Sequence, residues 1–423
     1  MHYNYLIIGG GIAGVTAAET IRGLNKDATI AIMSQEPHLL YSRVLLPNYV
    51  KKKIRKDQVF LRTIDDFEKK DIVLLLEKEA VFLDVAKREV KAKSGEICSF
   101  DKLLIASGGA PMPVNIPGEK LAGVFRLQTL DDADSLLEAL PEAKKAIVIG
   151  GGFIGLEFLE IAHVYKIPTV LLSRGPKFFE NVLDSTGGEL MRKNFERFGI
   201  NAIFEDEVVE FGGKERVSGV RTKKGIVVDG DIVGVGIGLK MNDNFSLGIG
   251  LGSPPQAGVA PIHTDMPERG IRVNEFLETA NPGIFAAGDV AEYFNVSSGR
   301  FGRHGNWTNA FLQGRTAGQN MAGKERLVFK NVPFYSTTNL GLHITFLGDT
   351  EEGEGAETVS RNALPGNMYE RFFLREGKLA GAVIINMFHD KPALAELIEK
   401  GVLINNAREN LTDMSFEIKT LLG

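Results

Sequence analysis

Apolar positions along this chain follow two periods in a repeating order. Residues 5–8 form a short apolar run, residues 15–24 carry helical character, and residues 28–33 return to a strand-like run. Between the first run and the helix lies Gly9-Gly10-Gly11-Ile12-Ala13-Gly14, so the pattern predicts a β-α-β unit with a glycine-rich first turn. The arrangement recurs as an apolar run at 146–149, Gly150-Gly151-Gly152-Phe153-Ile154-Gly155, a helix to about Tyr165 and a strand at 169–172. Residues 79–93 and 100–106 read as strands between the two units, and the proline-bearing stretch 110–118 reads as an extended domain crossing.

Strands and turns continue to 231–238, followed by Gly283-Ile284-Phe285-Ala286-Ala287-Gly288-Asp289 and a helix near 307–321. From about Glu325 the pattern changes to strands at 343–347, 368–375 and 379–385 and an amphipathic helix at 392–400, which predicts a separate α+β domain. The Gly- and Glu-rich stretch 349–357 reads as a solvated turn.

Length adds that 423 residues exceed what one hydrophobic core organises, so two or three domains are expected. With 44% apolar and 24% charged residues the chain is an ordinary globular one. A net charge of −5 gives no pull toward nucleic acid, no apolar stretch is long enough for a membrane span, and the N-terminus lacks the pattern of a secretory signal. A cytoplasmic protein is the expectation. Cys98 is alone, so the chain has no intrachain disulfide and no cysteine pair to shuttle electrons, and no metal ligand set stands out.

The glycines carry the chemistry. Gly9 permits a tight turn, Gly11 lets the backbone approach a pyrophosphate, and Gly14 allows close helix packing. The helix start then offers unpaired N–H groups and a positive dipole end to the phosphates. Gly150, Gly152 and Gly155 repeat the spacing, so two dinucleotides are expected, one held tightly and one exchanging.

With these motifs the sequence resembles the pyridine nucleotide-disulfide oxidoreductase superfamily, in its rubredoxin, ferredoxin and nitrite reductase-like branch, from Tyr5 to about Gly401. The resemblance implies an α/β fold of two Rossmann-like, glutathione reductase-like domains plus a C-terminal α+β interface domain. Its domains would be residues 1–110 and 244–324 for FAD, 111–243 for NAD(P)H and 325–423 for the interface. Ile284 to Asp289 looks like the second FAD motif, whose Asp accepts hydrogen bonds from ribityl hydroxyls. Ala106-Ser107-Gly108 looks like the Ala-Thr-Gly crossover, and Glu36-Pro37 with Tyr41-Ser42-Arg43 resembles the early flavin loop. FAD contacts are thereby implied for Gly9, Gly11, Ile12, Ala13, Gly14, Glu36, Arg43, Val81, Ala106, Ser107, Gly108, Gly288, Asp289 and Trp307. NAD(P)H contacts are implied for Gly150, Gly152, Phe153, Ile154, Gly155, Ser173, Arg174 and Gly238.

Glu157 corresponds to a Glu that lies near the stacked nicotinamide and pairs in several relatives with an early-loop Lys. That position here is Asn48, which leaves Lys51 or Lys52 as candidate substitutes. Ser173-Arg174, with no acid at the strand end, favours NADPH through an Arg on the 2′-phosphate; the alternative is an Arg over the adenine or in solvent, as in NADH users. His304 reads as structural.

The resemblance further implies hydride transfer from NAD(P)H to FAD and, with no thiol outlet, single-electron transfer to a carrier such as rubredoxin or ferredoxin. Lys51-Lys52-Lys53-Ile54-Arg55-Lys56 reads either as a docking patch for an acidic carrier or as a solvated helix face. The interface domain of relatives can support a homodimer. Two alternatives stand beside this activity: an NAD(P)H oxidase or quinone reductase, and a redox-sensing protein similar to apoptosis-inducing factor.

Overall fold

The computed structural model describes residues 1–242, 270–295, 299–353, 355–363, 366–404 and 407–423. They form two compact units. The first comprises Met1–Ser42, Asp57–Ala110 and Lys240–Pro333, the second Arg43–Lys56, Pro111–Leu239 and Phe334–Gly423. The domain boundary expected after residue 243 lies outside the described residues.

In the first unit, strand β1 (His2–Ile8) runs parallel to Ile30–Met33 on one side and Ile97–Ile105 on the other. Ile72–Leu75 extends the sheet beyond Ile30–Met33, and Ile284–Ala286 joins beside Ile97–Ile105, also in parallel. The central strands read as unbroken apolar runs because they are buried on both faces. Helix α1 (Ile12–Leu24) packs closely on the helix Trp307–Ala322: a β-carbon at Gly314 would land on the Ala13 carbonyl, and one at Gly318 would approach the Ala17 carbonyl. Small residues therefore set the spacing of the two helices.

The expected strand at 79–93 is corrected to a hairpin, Ala80–Asp84 against Glu89–Ala92, paired antiparallel. The Asp84 carboxylate accepts from the Lys87 N–H at 3.0 Å, and Arg88 takes a left-handed conformation, so the chain reverses inside what alternation alone reads as continuous.

In the second unit, β2 (Ala146–Ile149) is the centre of a parallel sheet, flanked by Thr169–Leu172 and Ile232–Val235. Helix α2 (Phe153–Val164) follows it. The C-terminal segment contributes an antiparallel five-stranded sheet in the order Phe334–Asn339, Leu342–Gly348, Lys378–Ile385, Met368–Arg375, Ala356–Ala363, with the helix Lys391–Lys400 after it. The solvated turn expected at 349–357 is corrected in part. Asp349 is buried and paired with Arg375 at 3.1 Å, and Glu352 pairs with Arg371; residue 354 lies outside the described residues. Among the described residues no helix is long and apolar enough to cross a membrane.

Candidate functional site

Both glycine turns sit at the C-terminal end of a central parallel strand, where open α/β sheets bind their ligands. In the first unit Gly9 has φ +113°, and a β-carbon there would land on the Ala106 carbonyl oxygen. A β-carbon at Gly14 would land on the Gly9 carbonyl oxygen. Those two glycines let β1, α1 and the 106–108 crossing close on one another. Gly11 differs: it has φ −76°, no side chain caps the helix it opens, and a β-carbon would meet nothing within 4 Å. The first-turn N–H groups of α1, from half-buried Ile12 and buried Ala13 onward, thus start at an open, uncapped turn that suits a pyrophosphate.

Around this turn, Ala106 donates its N–H to Ile8 at 2.7 Å, Ser107 Oγ donates to the Asn242 carbonyl at 2.6 Å, and Asn242 donates to the Gly108 carbonyl at 3.0 Å. Gly288 donates its N–H to Gln313 Oε1 at 2.6 Å, and half-buried Asp289 follows it. The Asp289 carboxyl carbon lies 3.3 Å from where a Gly305 β-carbon would be. Trp307 stacks on Phe311 with rings 3° from parallel. Trp307 Nε1 and Gln313 Nε2 are buried donors with no partner among the described residues. An unsatisfied buried donor costs about 1–3 kcal/mol, so these two N–H groups, like the uncapped turn, fit a bound group rich in acceptors, as FAD is. His304 accepts at its carbonyl from Asn309 Nδ2 at 2.8 Å, a structural contact.

Three expected residues stand differently. Glu36 accepts from the Tyr41 hydroxyl at 2.6 Å. The Val81 side chain is exposed on its hairpin. Arg43 belongs to the second unit, where its guanidinium donates to the Gln128 carbonyl.

The second turn is built like the first. A β-carbon at Gly150 (φ +121°) would land on the Gly236 carbonyl, and one at Gly155 on the Gly150 carbonyl. Gly152 opens α2 without a side-chain cap and with free space before it. Ile154 packs under Gly236, buried Ser173 places Oγ 2.9 Å from where a Gly151 β-carbon would lie, and Arg174 beside it is exposed. Gly238 is exposed with open space around it. Phe153, the first residue of α2, is enclosed by Tyr335, Phe346 and Phe179 at ring separations of 4.1, 4.7 and 4.8 Å.

One turn further along α2, Glu157 is buried, and its Oε2 lies 3.5 Å from Lys51 Nζ. Lys51 therefore takes the place that Asn48 leaves open. Residues 51–56 do not form the expected helix face: they link the helix Leu46–Val50 to the 3-10 turn Lys56–Val59, and Lys52, Lys53, Arg55 and Lys56 stay exposed as expected. Lys51 is buried, Lys53 pairs with Glu160 at 3.8 Å, and Lys56 pairs with Asp134 at 2.6 Å.

Residues 3–314 match the family model of the pyridine nucleotide-disulphide oxidoreductases. The chain belongs to this family. Residues 336–402 match the model of the rubredoxin NAD+ reductase C-terminal domain. The chain is 28% identical over 397 residues to nitrite reductase [NAD(P)H] of Bacillus subtilis, covering 93% of this chain and 47% of the relative. It is 26% identical over 416 residues to the ferredoxin–NAD(+) reductase component of the biphenyl dioxygenase system of Paraburkholderia xenovorans, covering 98% and 97%. The crystal structure of the ferredoxin reductase for the CYP199A2 system from Rhodopseudomonas palustris superposes with a TM-score of 0.86 at 25% identity, covering 99% and 100%. The chain spans about half the length of the first curated relatives it matches. The family takes its name from a disulphide, yet this chain has Cys98 as its single cysteine, buried in the first sheet.

Sequence reasoning left out Thr337 and Asn339, which also reach Glu157, and Gln313 as a buried donor. The usable signal for the first two was the alternation Tyr335, Thr337, Asn339 in a β-branched and aromatic run.

Proposed function

We propose that this chain is an FAD-dependent NAD(P)H oxidoreductase that passes electrons singly to a protein carrier such as rubredoxin or ferredoxin, in the cytoplasm. In this reading residues 1–110 and 244–324 bind FAD, 111–243 bind NAD(P)H and 325–423 form the interface domain. The observation that carries it is the presence of two like-built glycine turns, each opening on an uncapped helix start, one in each unit. Flavin, when bound, accepts hydride from a nicotinamide and gives up electrons one at a time. The protein's work is then positional.

The α1 turn, Ser107 and Gly108 hold the flavin nucleotide, Asp289 accepts from ribityl hydroxyls, and Trp307 Nε1 and Gln313 Nε2 donate to acceptors that would otherwise leave them unpaired. The α2 turn holds the nicotinamide nucleotide, with Glu157 beside the nicotinamide. Ser173 and exposed Arg174 suit a 2′-phosphate, because a guanidinium binds phosphate through paired charge-assisted bonds and neither residue is acidic.

Anaerobic stopped-flow reduction by NADH and by NADPH, followed by mixing with oxidised rubredoxin or ferredoxin, tests the proposal. Fast bleaching and fast carrier reduction are expected; reduced protein that no carrier reoxidises would overturn it. Replacing Arg174→Ala is expected to raise KM for NADPH about tenfold and leave NADH within about twofold. Equal effects on both nucleotides would remove Arg174 from the 2′-phosphate site.

A further inference from the structure

Strand β3 (Phe334–Asn339) belongs to the C-terminal sheet and pairs antiparallel with Leu342–Gly348. In a strand every second side chain shares a face. Tyr335, Thr337 and Asn339 share the one turned to α2. Tyr335 lies against Phe153, and the next two positions reach Glu157: Thr337 Oγ1 donates to Glu157 Oε1 at 3.1 Å, and Asn339 Nδ2 donates to the same oxygen at 2.9 Å. Asn339 Nδ2 also donates to Thr337 Oγ1 at 2.8 Å, so the two side chains brace each other. Just beyond, the Leu340 N–H donates to Glu160 Oε2 at 2.7 Å and fixes the strand end to the helix.

The two carboxylate oxygens of Glu157 are therefore unlike. Oε1 is taken by two neutral donors, while Oε2 faces the Lys51 ammonium. The terminal torsion of a glutamate is broad and roughly two-fold, so a carboxylate held by Lys51 alone is free to turn. Two donors on one oxygen fix the plane.

We propose that Thr337 and Asn339 are positioning residues: they lock the Glu157 carboxylate in one orientation, so that the C-terminal domain sets how the nicotinamide is presented for hydride transfer. The inference rests on the reading that Glu157 lies beside the nicotinamide. Because hydride transfer needs a narrow range of geometry, loosening this carboxylate slows the step more than it weakens binding.

The test uses the flavin-loaded protein and the variants Thr337→Val, Thr337→Ser and Asn339→Ala. Expected for Thr337→Val and Asn339→Ala is an about tenfold slower flavin reduction at saturating nucleotide, equivalent to about 1.4 kcal/mol of barrier. Calorimetric affinity for the oxidised nucleotide and melting temperature should stay near the parent's. Thr337→Ser keeps the hydroxyl and should retain at least half of the rate.

The same Thr337→Val change is then made in Lys51→Met/Glu157→Ala, which leaves no buried charge unpaired, and should have no further effect there. Parental rates in Thr337→Val, a loss of affinity that accounts for the whole effect, or an undiminished effect without Glu157 would each overturn the inference. If Lys51→Met/Glu157→Ala itself reduces flavin at the parental rate, the placement of Glu157 beside the nicotinamide is what fails, and this inference falls with it.

Discussion

Lys51 and Glu157 face each other 3.5 Å apart with side chains only 4% and 10% exposed. Burying two charges is repaid only while both are present, and removing one partner of such a pair typically costs about 3–5 kcal/mol. Lys51→Met alone is accordingly expected to lower the melting temperature by about 6–12 °C, and Lys51→Met/Glu157→Ala by clearly less. Scanning calorimetry of the three proteins distinguishes this from a surface pair, whose loss would be near zero. A second buried charge cluster lies in the C-terminal sheet, where Arg361 binds Glu370 and Asp390 and donates to the carbonyls of Asp413 and Phe416.

Burial pushes the Glu370 carboxyl up to about 8 despite the opposing Arg361 guanidinium. The folded chain therefore holds one proton more than the unfolded chain between the ordinary glutamate range and about pH 8. Stability from this group is full below that window and is lost as the pH rises through it. Melting temperatures measured from pH 5 to 9 should fall less steeply in Glu370→Gln than in the parent; parallel curves would show that Glu370 ionises normally.

Among the elements, the two glycine turns separate folding from binding. A β-carbon at Gly14 would collide with backbone, whereas one at Gly11 meets open space at an ordinary φ. Gly14→Ala is expected to destabilise the first unit and reduce the yield of folded protein, while Gly11→Ala should fold normally and lose flavin. The ratio of flavin absorbance to protein, read beside the melting temperature, checks both; a Gly11→Ala protein with full flavin would show that the uncapped turn is not the pyrophosphate site.

These turns were legible from sequence because strand, glycines and helix are contiguous, and each glycine's role follows from spacing. The hairpin within 79–93 was not, since one reversal at Arg88 leaves the alternation of apolar residues on either side intact. Neither was the state of Lys51. Six residues rich in lysine look solvated locally, and only the fold brings Glu157, over a hundred positions away, to bury one of them. Thr337 and Asn339 lie further still from Glu157 along the chain, where no local pattern connects them.

For the whole molecule, a net charge of −5 and the pairing of Lys51, Lys53 and Lys56 with acids of their own unit weaken the field that the exposed cations of residues 52–56 offer an acidic carrier. The KM for such a carrier is expected to rise less than about threefold between low and moderate salt. A steep rise would restore this segment, or another basic face, as a docking surface.

The two units are also interleaved, so that the chain passes from one to the other at residues 42, 56, 110, 239 and 333. One consequence concerns synthesis. The strand Ile97–Ile105 receives its parallel neighbour Ile284–Ala286 only roughly 180 residues later, which at about 5–20 residues per second means some 10–35 s on the ribosome. During that interval the hydrogen-bonding edge of Leu103, Leu104 and Ile105 stands open in a growing chain. A nascent polypeptide of this design depends on its cellular escort to keep that edge from pairing with a stranger.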